Sequence, residues 1–207
     1  ESVIQELKTA RARGKGVLFA ANHTHELDAI FVRCMLPLSA YNFPMYYVAM
    51  TKDHYQDEKF GWRRYLYGGT FFRMLGAYPA YLGMRDYQAS LVHHTELLEE
   101  GRSVCIFPEG KISVNVLKPS EPKGGLGFLA VETGTNIIPV RIDGLVRIPW
   151  FKVFTFRRPQ ITVTYKPLLK VSDLVRSAES QAIEHGIQMY KHISQSVMNV
   201  VRSDGLH

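Results

Sequence analysis

Short apolar runs alternate with amphipathic segments along this chain. Residues 17–20 are all apolar and follow a turn at Gly14, which predicts a buried strand. Apolar positions then recur from Leu27 to Cys34 at the spacing of one helical face, and Pro37 predicts that this helix stops before it. A strand therefore passes directly into a helix near the start of the chain.

The same reasoning places elements along the rest of the core. Four further apolar runs predict strands, at residues 45–50, 103–107, 137–142 and 160–165. Residues 60–75 are aromatic and basic and favour a helix, whereas the chain just after Gly76 is expected to be irregular. Leucines before Gly101 predict another helix, and a glycine-rich loop with a short helix follows residue 107.

Beyond Ser172 the hydrophobic period becomes helical and predicts a C-terminal helix over about 172–202. One stripe of this helix collects apolar side chains, namely Ile183, Ile187, Tyr190, Ile193 and Val197. We expect that face to pack on the sheet rather than on a partner. Alternating strands and helices indicate the α/β class, in a single domain over 1–207 with its motif-bearing core at about 15–168.

Composition and charge narrow the possible partners. No stretch reaches the about 20 consecutive apolar residues of a spanning helix, so the chain is expected to be soluble or peripheral. The formal net charge of +6 favours an anionic partner, which could be nucleic acid, anionic lipid or a phosphorylated small molecule. The chain begins at Glu1 rather than Met, which leaves room for an upstream targeting or membrane segment.

The two cysteines, Cys34 and Cys105, both lie inside apolar runs. They form neither a disulfide framework nor a paired-cysteine zinc spacing, and they favour a reducing compartment.

A histidine and a carboxylate stand at the end of the first predicted strand. His23 leaves the strand, and Asp28 follows five positions later in the first turn of the next helix. A carboxylate that holds one imidazole nitrogen leaves the other to remove a proton from a hydroxyl, as in a general-base dyad. The alternative is that Asp28 only supports the helix N-terminus and His23 is a satisfied turn residue.

A second motif, Phe107-Pro108-Glu109-Gly110, stands at another strand end. The ordered pair of motifs resembles the glycerolipid acyltransferase family, typified by the 1-acylglycerol-3-phosphate acyltransferases. Its first block is matched by Asn22, His23 and Asp28, its third by residues 107–110, and its fourth is similar to residues 138–140. The resemblance runs from about residue 15 to about residue 168.

The resemblance implies a mixed, mostly parallel sheet flanked by helices, with the site at the strand ends. It also implies direct acyl transfer, in which His23 deprotonates an acceptor hydroxyl that attacks the thioester of acyl-CoA or of an acyl carrier protein. Asp28 would complete the catalytic pair, and neither a cofactor, a metal nor a covalent intermediate is implied. Glu109 and Gly110 of the third block would bind or position the acceptor.

Two departures leave the lipid acceptor open. The family usually shows an Asp-Arg pair after the second block, where this chain offers only Arg85, and Thr-Arg after the third block, where it has Lys111 followed by isoleucine. Lys111 could supply charge without the bidentate fork of arginine, and Lys123 is the best candidate for a phosphate contact. A lysophospholipid, a glycolipid or another lipid alcohol fits as the acceptor.

Aromatic and basic residues mix near the second half of the chain in a composition suited to lipid headgroups. The residues expected to meet the membrane surface are Trp150, Phe151, Arg157 and Arg158. The alternative is a strand pair with one buried aromatic face. Residues 62–67 have a similar character, and neither patch contains a nucleic-acid motif. We therefore expect a peripheral protein on the cytoplasmic side of a membrane, with no nucleic-acid partner.

Two other classes of function stay as alternatives. His23 and His25 with Asp28 could bind zinc in a hydrolase, although Leu27 and Ala29 stand where a metallo-beta-lactamase-type motif would place further ligands. The other alternative is a lipid-binding module that has lost catalysis, which the presence of both dyad residues does not favour.

Overall fold

One sheet organises the chain in the computed structural model, which describes residues 2–36, 44–49, 76–80, 86–113, 119–146 and 160–203. Within these residues six strands are present, β1 (Val17–Ala21), β2 (Met45–Ala49), β3 (Ala77–Pro79), β4 (Ser103–Ile106), β5 (Ile137–Asp143) and β6 (Thr162–Tyr165). They lie in the order β3-β2-β4-β1-β5-β6.

The sheet is parallel except at one edge. β1 pairs in parallel with β4 and with β5, so that Leu18 lies beside Val104 on one side and Ile137 on the other. β2 is parallel to both β3 and β4, whereas β6 runs antiparallel to β5. The expected mixed, mostly parallel sheet is therefore confirmed. All five residues of β1 are buried, as expected for a central strand that is covered on both faces.

Helices cover both faces of this sheet. The described helices are α1 (Ser2–Ala12), α2 (Asp28–Cys34), α3 (Tyr87–Glu99), α4 (Gly125–Thr133), α5 (Val171–Ser180) and α6 (Ile187–Arg202). Successive β1 side chains point to opposite faces: Leu18 packs in the cluster that includes α3, α4 and α6, and Phe19 packs in the cluster that includes α1 and α2.

Helix α6 reaches the sheet by crossing α4 at very short range. A Cβ atom added at Gly127 would lie 2.1 Å from the Tyr190 carbonyl oxygen, so only glycine fits there. The Gly127 N–H also donates to Ser194 Oγ at 3.0 Å. This close crossing fixes where the C-terminal end of α6 lies relative to the strands.

The C-terminal segment differs from its prediction. A single helix over about 172–202 was wrong, because the chain forms α5 and α6 with a break between Ser180 and Ile187. Ala182 and Gly186 have positive φ angles of 57° and 126° in that break, and such angles end a right-handed helix. The apolar stripe does face the core at Tyr190 and Ile193, as expected, but Ile187 is exposed.

The irregular chain expected after Gly76 was also wrong, because residues 77–79 form β3. This strand has only three residues, and its place comes from backbone pairing: Tyr47 N–H donates to the Gly76 carbonyl at 2.8 Å, and Ala80 N–H to the Ala49 carbonyl at 2.8 Å. The helix predicted over 60–75 lies outside the described residues. Among the described helices, none combines the length and the apolar character that a membrane crossing requires.

Candidate active site

His23 and Asp28 face each other across the loop between β1 and α2. His23 lies two residues after the last residue of β1, and Asp28 is the first residue of α2. His23 Nδ1 lies 3.0 Å from Asp28 Oδ2. The carboxylate is fully buried, whereas the imidazole side chain is 21% exposed. Solvent therefore reaches part of the imidazole but not the carboxylate.

Two backbone donors hold the Asp28 carboxylate, and the carboxylate in turn selects the tautomer of the imidazole. The backbone N–H groups of Thr24 and His25 donate to Asp28 Oδ2 at 2.6 and 2.8 Å. An ionised carboxylate only accepts hydrogen bonds, so His23 Nδ1 must carry the proton in this contact. The other ring nitrogen, Nε2, is then the one that can accept a proton.

The hydrogen bonds of Asp28 do not cap helix α2. The N-cap residue is Leu27, with no capping side-chain hydrogen bond, and the N–H donors of Asp28 belong to the loop before the helix. Asp28 does stand in the first turn of α2, where its negative charge also suits the helix N-terminus, so the helix-support alternative remains beside the dyad interpretation. Its carboxylate organises the loop that carries His23.

Asn22 extends the sheet by one residue just before the histidine. Its side-chain amide donates to the Ile142 carbonyl at 2.8 Å and accepts from the Ile142 N–H at 2.7 Å. These two bonds imitate the pairing of one more residue between β1 and β5. The backbone entering His23 is thus held against β5.

The second motif meets the histidine because β4 and β1 are parallel neighbours whose carboxyl ends share one edge of the sheet. Phe107 directly follows β4, and its ring stacks on the His23 imidazole with centroids 4.4 Å apart and planes 22° apart. The Ser113 N–H donates to the His23 carbonyl at 2.7 Å. The structure therefore brings the two motifs into direct contact.

Glu109 is buried within this contact, with only 2% of its surface exposed. Its Oε2 atom accepts a hydrogen bond from Ser113 Oγ, and its Oε1 atom accepts from Arg202 Nη2 at 3.1 Å. Both carboxylate oxygens are thus engaged by protein groups. The acceptor-binding role predicted for Glu109 stays a prediction. Sequence reasoning missed Ser113 and Arg202, since neither stands in a motif that it considered.

Gly110 and Lys123 lie together at the rim of the loop. Gly110 closes a turn through its N–H to the Phe107 carbonyl at 3.0 Å and has a φ of +64° that favours glycine. A Cβ atom at Gly110 would lie 3.1 Å from Lys123 Nζ. Lys123 is exposed, and so is Lys111. Both lysines therefore present charge to solvent next to the motif loop, and their substrate contacts stay predictions.

Several predicted site residues lie outside the described residues, namely Arg85, Trp150, Phe151, Arg157 and Arg158. Their expected roles at the acceptor and at the membrane surface stay predictions.

The imidazole of His25, the second histidine of the zinc alternative, makes a local contact with the backbone. Its Nδ1 accepts the Leu27 N–H at 3.1 Å, and its side chain is buried. The described part of the chain contains no group of three or more His, Cys, Asp or Glu residues that could hold a metal ion.

Comparison with known proteins places these features in a family. The family model described as Acyltransferase matches residues 3–143, which contain both motifs. The chain belongs to the acyltransferase family. Membership confirms the resemblance drawn from the motifs and the prediction of an O-acyltransferase enzyme. Arg202 lies beyond the part of this acyltransferase that the family model matches.

A solved structure similar to this acyltransferase is that of the 1-acyl-sn-glycerophosphate (LPA) acyltransferase PlsC from Thermotoga maritima. The TM-score is 0.49 and the sequence identity 16%, with 99% of this chain and 81% of the other chain covered.

Proposed function

We propose that this acyltransferase moves a fatty acyl group from acyl-CoA or an acyl carrier protein onto a hydroxyl of a lysophospholipid or related lipid. His23 is the general base, and Asp28 orients it. The observation that carries the proposal is the 3.0 Å contact between His23 Nδ1 and a fully buried carboxylate. This contact leaves Nε2 as the proton acceptor of an imidazole whose side chain is 21% exposed.

The reaction follows from that arrangement. Nε2 takes the proton of the acceptor hydroxyl while its oxygen bonds to the thioester carbonyl carbon. The tetrahedral intermediate then collapses, the carbon–sulfur bond breaks, and the leaving thiolate receives the proton from the imidazolium. Asp28 stabilises the imidazolium between these two steps without becoming protonated. No residue forms a covalent bond with the acyl group, so donor and acceptor occupy the site together.

Charge beside the site supports an anionic acceptor headgroup. Lys111 and Lys123 are exposed at the loop that contacts the His23 ring, and the chain has a net charge of +6. A lysine binds phosphate as a point charge, which suits headgroups of varied shape. Lys123 is the stronger candidate, because its side chain lies against Gly110 of the motif.

Membrane attachment is a separate part of the proposal. A lipid acceptor resides in a bilayer, so the enzyme is expected to work as a peripheral protein on the cytoplasmic side. The composition around Trp150, Phe151, Arg157 and Arg158 supports docking through aromatic rings and cations.

The decisive test is an acyl-transfer assay that crosses two donors, acyl-CoA and acyl carrier protein thioester, with a panel of acceptors. The panel should contain a lysophospholipid with a phosphate monoester, a zwitterionic lysophospholipid, a glycolipid and a simple lipid alcohol. We expect transfer to at least one lysophospholipid, with product formed at the rate of thiol release. Thiol release without an acylated acceptor would instead indicate a hydrolase. Lipid binding with no turnover on any pair would indicate a non-catalytic module.

A further inference from the structure

The C-terminal helix α6 contributes a cation to the motif loop, although that helix lies beyond the residues matched by the family model. We propose that Arg202 is a positioning residue for His23 and acts through Glu109 and Ser113. The proposal rests on the proposed function, because it assigns these residues to the same reaction. Each link is a contact between described residues.

The first link is the ion pair between Arg202 and Glu109, with Nη2 and Oε1 3.1 Å apart. Glu109 is almost fully buried, and a buried carboxylate without a counter-charge is strongly unfavourable. The same nitrogen donates to the Ser120 carbonyl at 2.8 Å, and thereby ties the motif loop to the segment that leads into α4. The cation therefore determines where the Glu109 carboxylate can lie.

The second link runs from Glu109 to the histidine. Ser113 Oγ donates to the second oxygen of the carboxylate, and Ser113 N–H donates to the His23 carbonyl at 2.7 Å. Phe107, at the start of the same loop, stacks on the imidazole. A displacement of Glu109 would thus move both the backbone support and the ring support of His23.

The third link anchors the cation itself. Arg202 is the last residue of α6, and its carbonyl accepts from Arg141 Nη1 of β5 at 3.0 Å. Lys166 Nζ donates to the next carbonyl, that of Ser203, at 2.9 Å. Such donors satisfy the carbonyls that a helix end leaves without partners. With Val197 and Val201 in the core, the end of α6 is a fixed point from which Arg202 extends.

These contacts favour positioning over acceptor binding for Glu109. Only 2% of the Glu109 surface is exposed, so an acceptor hydroxyl or headgroup has almost no open approach to the carboxylate. Ser113 and Arg202 occupy positions beside its two oxygens. The two roles make different kinetic predictions. Loss of an acceptor contact raises KM for the acceptor, whereas loss of a support for the base lowers kcat.

The test uses the full chain with Arg202→Met, Arg202→Lys, Glu109→Gln and the double variant Glu109→Gln/Arg202→Met. We expect Arg202→Met to lower kcat by about tenfold to a hundredfold, as small misplacements of a catalytic group do, with acceptor KM within about twofold. Arg202→Lys should restore part of kcat. The double variant leaves no unpaired buried charge and should lose no more kcat than the worse single variant. Arg176→Gln, at an exposed position on α5, is the matched control and should keep wild-type kinetics.

A second readout does not depend on activity. Amide hydrogen exchange at Ser113 should accelerate in Arg202→Met and in the double variant, because the Ser113 N–H bond to His23 loses its support, and it should stay unchanged in Arg176→Gln. Unchanged exchange, additive losses of kcat, or a rise in acceptor KM confined to the Glu109 variant would overturn the positioning role. Failure of the proposed function is distinct: the wild-type chain would then transfer no acyl group, while the exchange experiment would still report on the link.

Discussion

The contact between His23 and Asp28 owes its geometry to the loop that joins them. The Asp28 carboxylate draws together two backbone N–H groups and one imidazole nitrogen, so a single buried oxygen sets both the loop and the tautomer. Burial explains this concentration of donors, because a carboxylate removed from water is unfavourable unless hydrogen bonds replace those it made to water. If His23 acts as proposed, the base is thus preorganised before any substrate binds.

Neutralising the carboxylate tests its orienting role. Asp28→Asn should lower kcat by about four orders of magnitude, the scale seen when a triad carboxylate is neutralised, because an amide can present its N–H to Nδ1 and favour the wrong tautomer. Acceptor KM should hardly change. Steady-state kinetics with the preferred donor measures both quantities. A large rise in KM with normal kcat would mean that Asp28 serves binding or structure instead.

Whether a contact between two residues could be predicted depended on their separation in the sequence. His23 and Asp28 are five positions apart, and one turn of chain is enough to join them. Asn22 finds its partner 120 positions away and Glu109 finds Arg202 93 positions away, so only the folded sheet shows these contacts. The motif containing Glu109 was visible in the sequence, but the burial of its carboxylate was not.

Among the elements, the central strands were the most predictable, because burial on both faces makes their sequences almost wholly apolar. β3 was missed, since three residues carry too little pattern and its pairing with β2 defines it. The break between α5 and α6 was missed because the apolar spacing of a helix continues across it, with Ile183 of the break itself packed against the core. Local backbone angles, rather than hydrophobic spacing, decide that break.

Helix α3 makes a pH-dependent contribution to stability through a buried histidine. His94 is fully buried, and burial lowers its pKa from 6.5 to about 4 despite opposing backbone groups of Tyr47 and Tyr78. In the unfolded chain His94 therefore binds a proton as the pH falls below 6.5, whereas in the folded chain it binds one only near pH 4.

Stability should consequently fall as pH decreases through that window, by up to about 3 kcal/mol from this residue. The measurement is the free energy of unfolding in urea at a series of pH values. His94→Leu should flatten the slope between pH 6.5 and 4, whereas the adjacent and exposed His93→Gln should change it little. Equal slopes in wild type and His94→Leu would contradict the assignment.

For the whole molecule, the net charge of +6 would attract the chain electrostatically to an anionic membrane surface. Cations near anionic lipid contribute about 1 kcal/mol each, and this attraction weakens as salt increases. Aromatic rings add a salt-resistant part by entering the headgroup region.

We therefore expect tighter binding to anionic than to neutral vesicles, measured by cosedimentation at low and high salt. Arg157→Ser/Arg158→Ser should reduce binding to anionic vesicles, and Trp150→Ala/Phe151→Ala should reduce the part that survives high salt. Turnover of a dispersed short-chain acceptor should persist in both variants, since the dyad lies elsewhere in the sequence. Equal binding to neutral and anionic vesicles, or no change in either variant, would exclude these residues as the docking face.

The role of His23 as the general base is tested most directly by the turnover number of His23→Ala beside that of His25→Ala. Circular dichroism should first establish that both variants are folded. We expect His23→Ala to abolish transfer, because the proposed mechanism assigns the hydroxyl proton to His23 Nε2, and His25→Ala to retain most of it, since its Nδ1 serves a backbone contact. Retained transfer in His23→Ala, or equal losses in both variants with activity removed by a chelator and restored by zinc, would contradict this role.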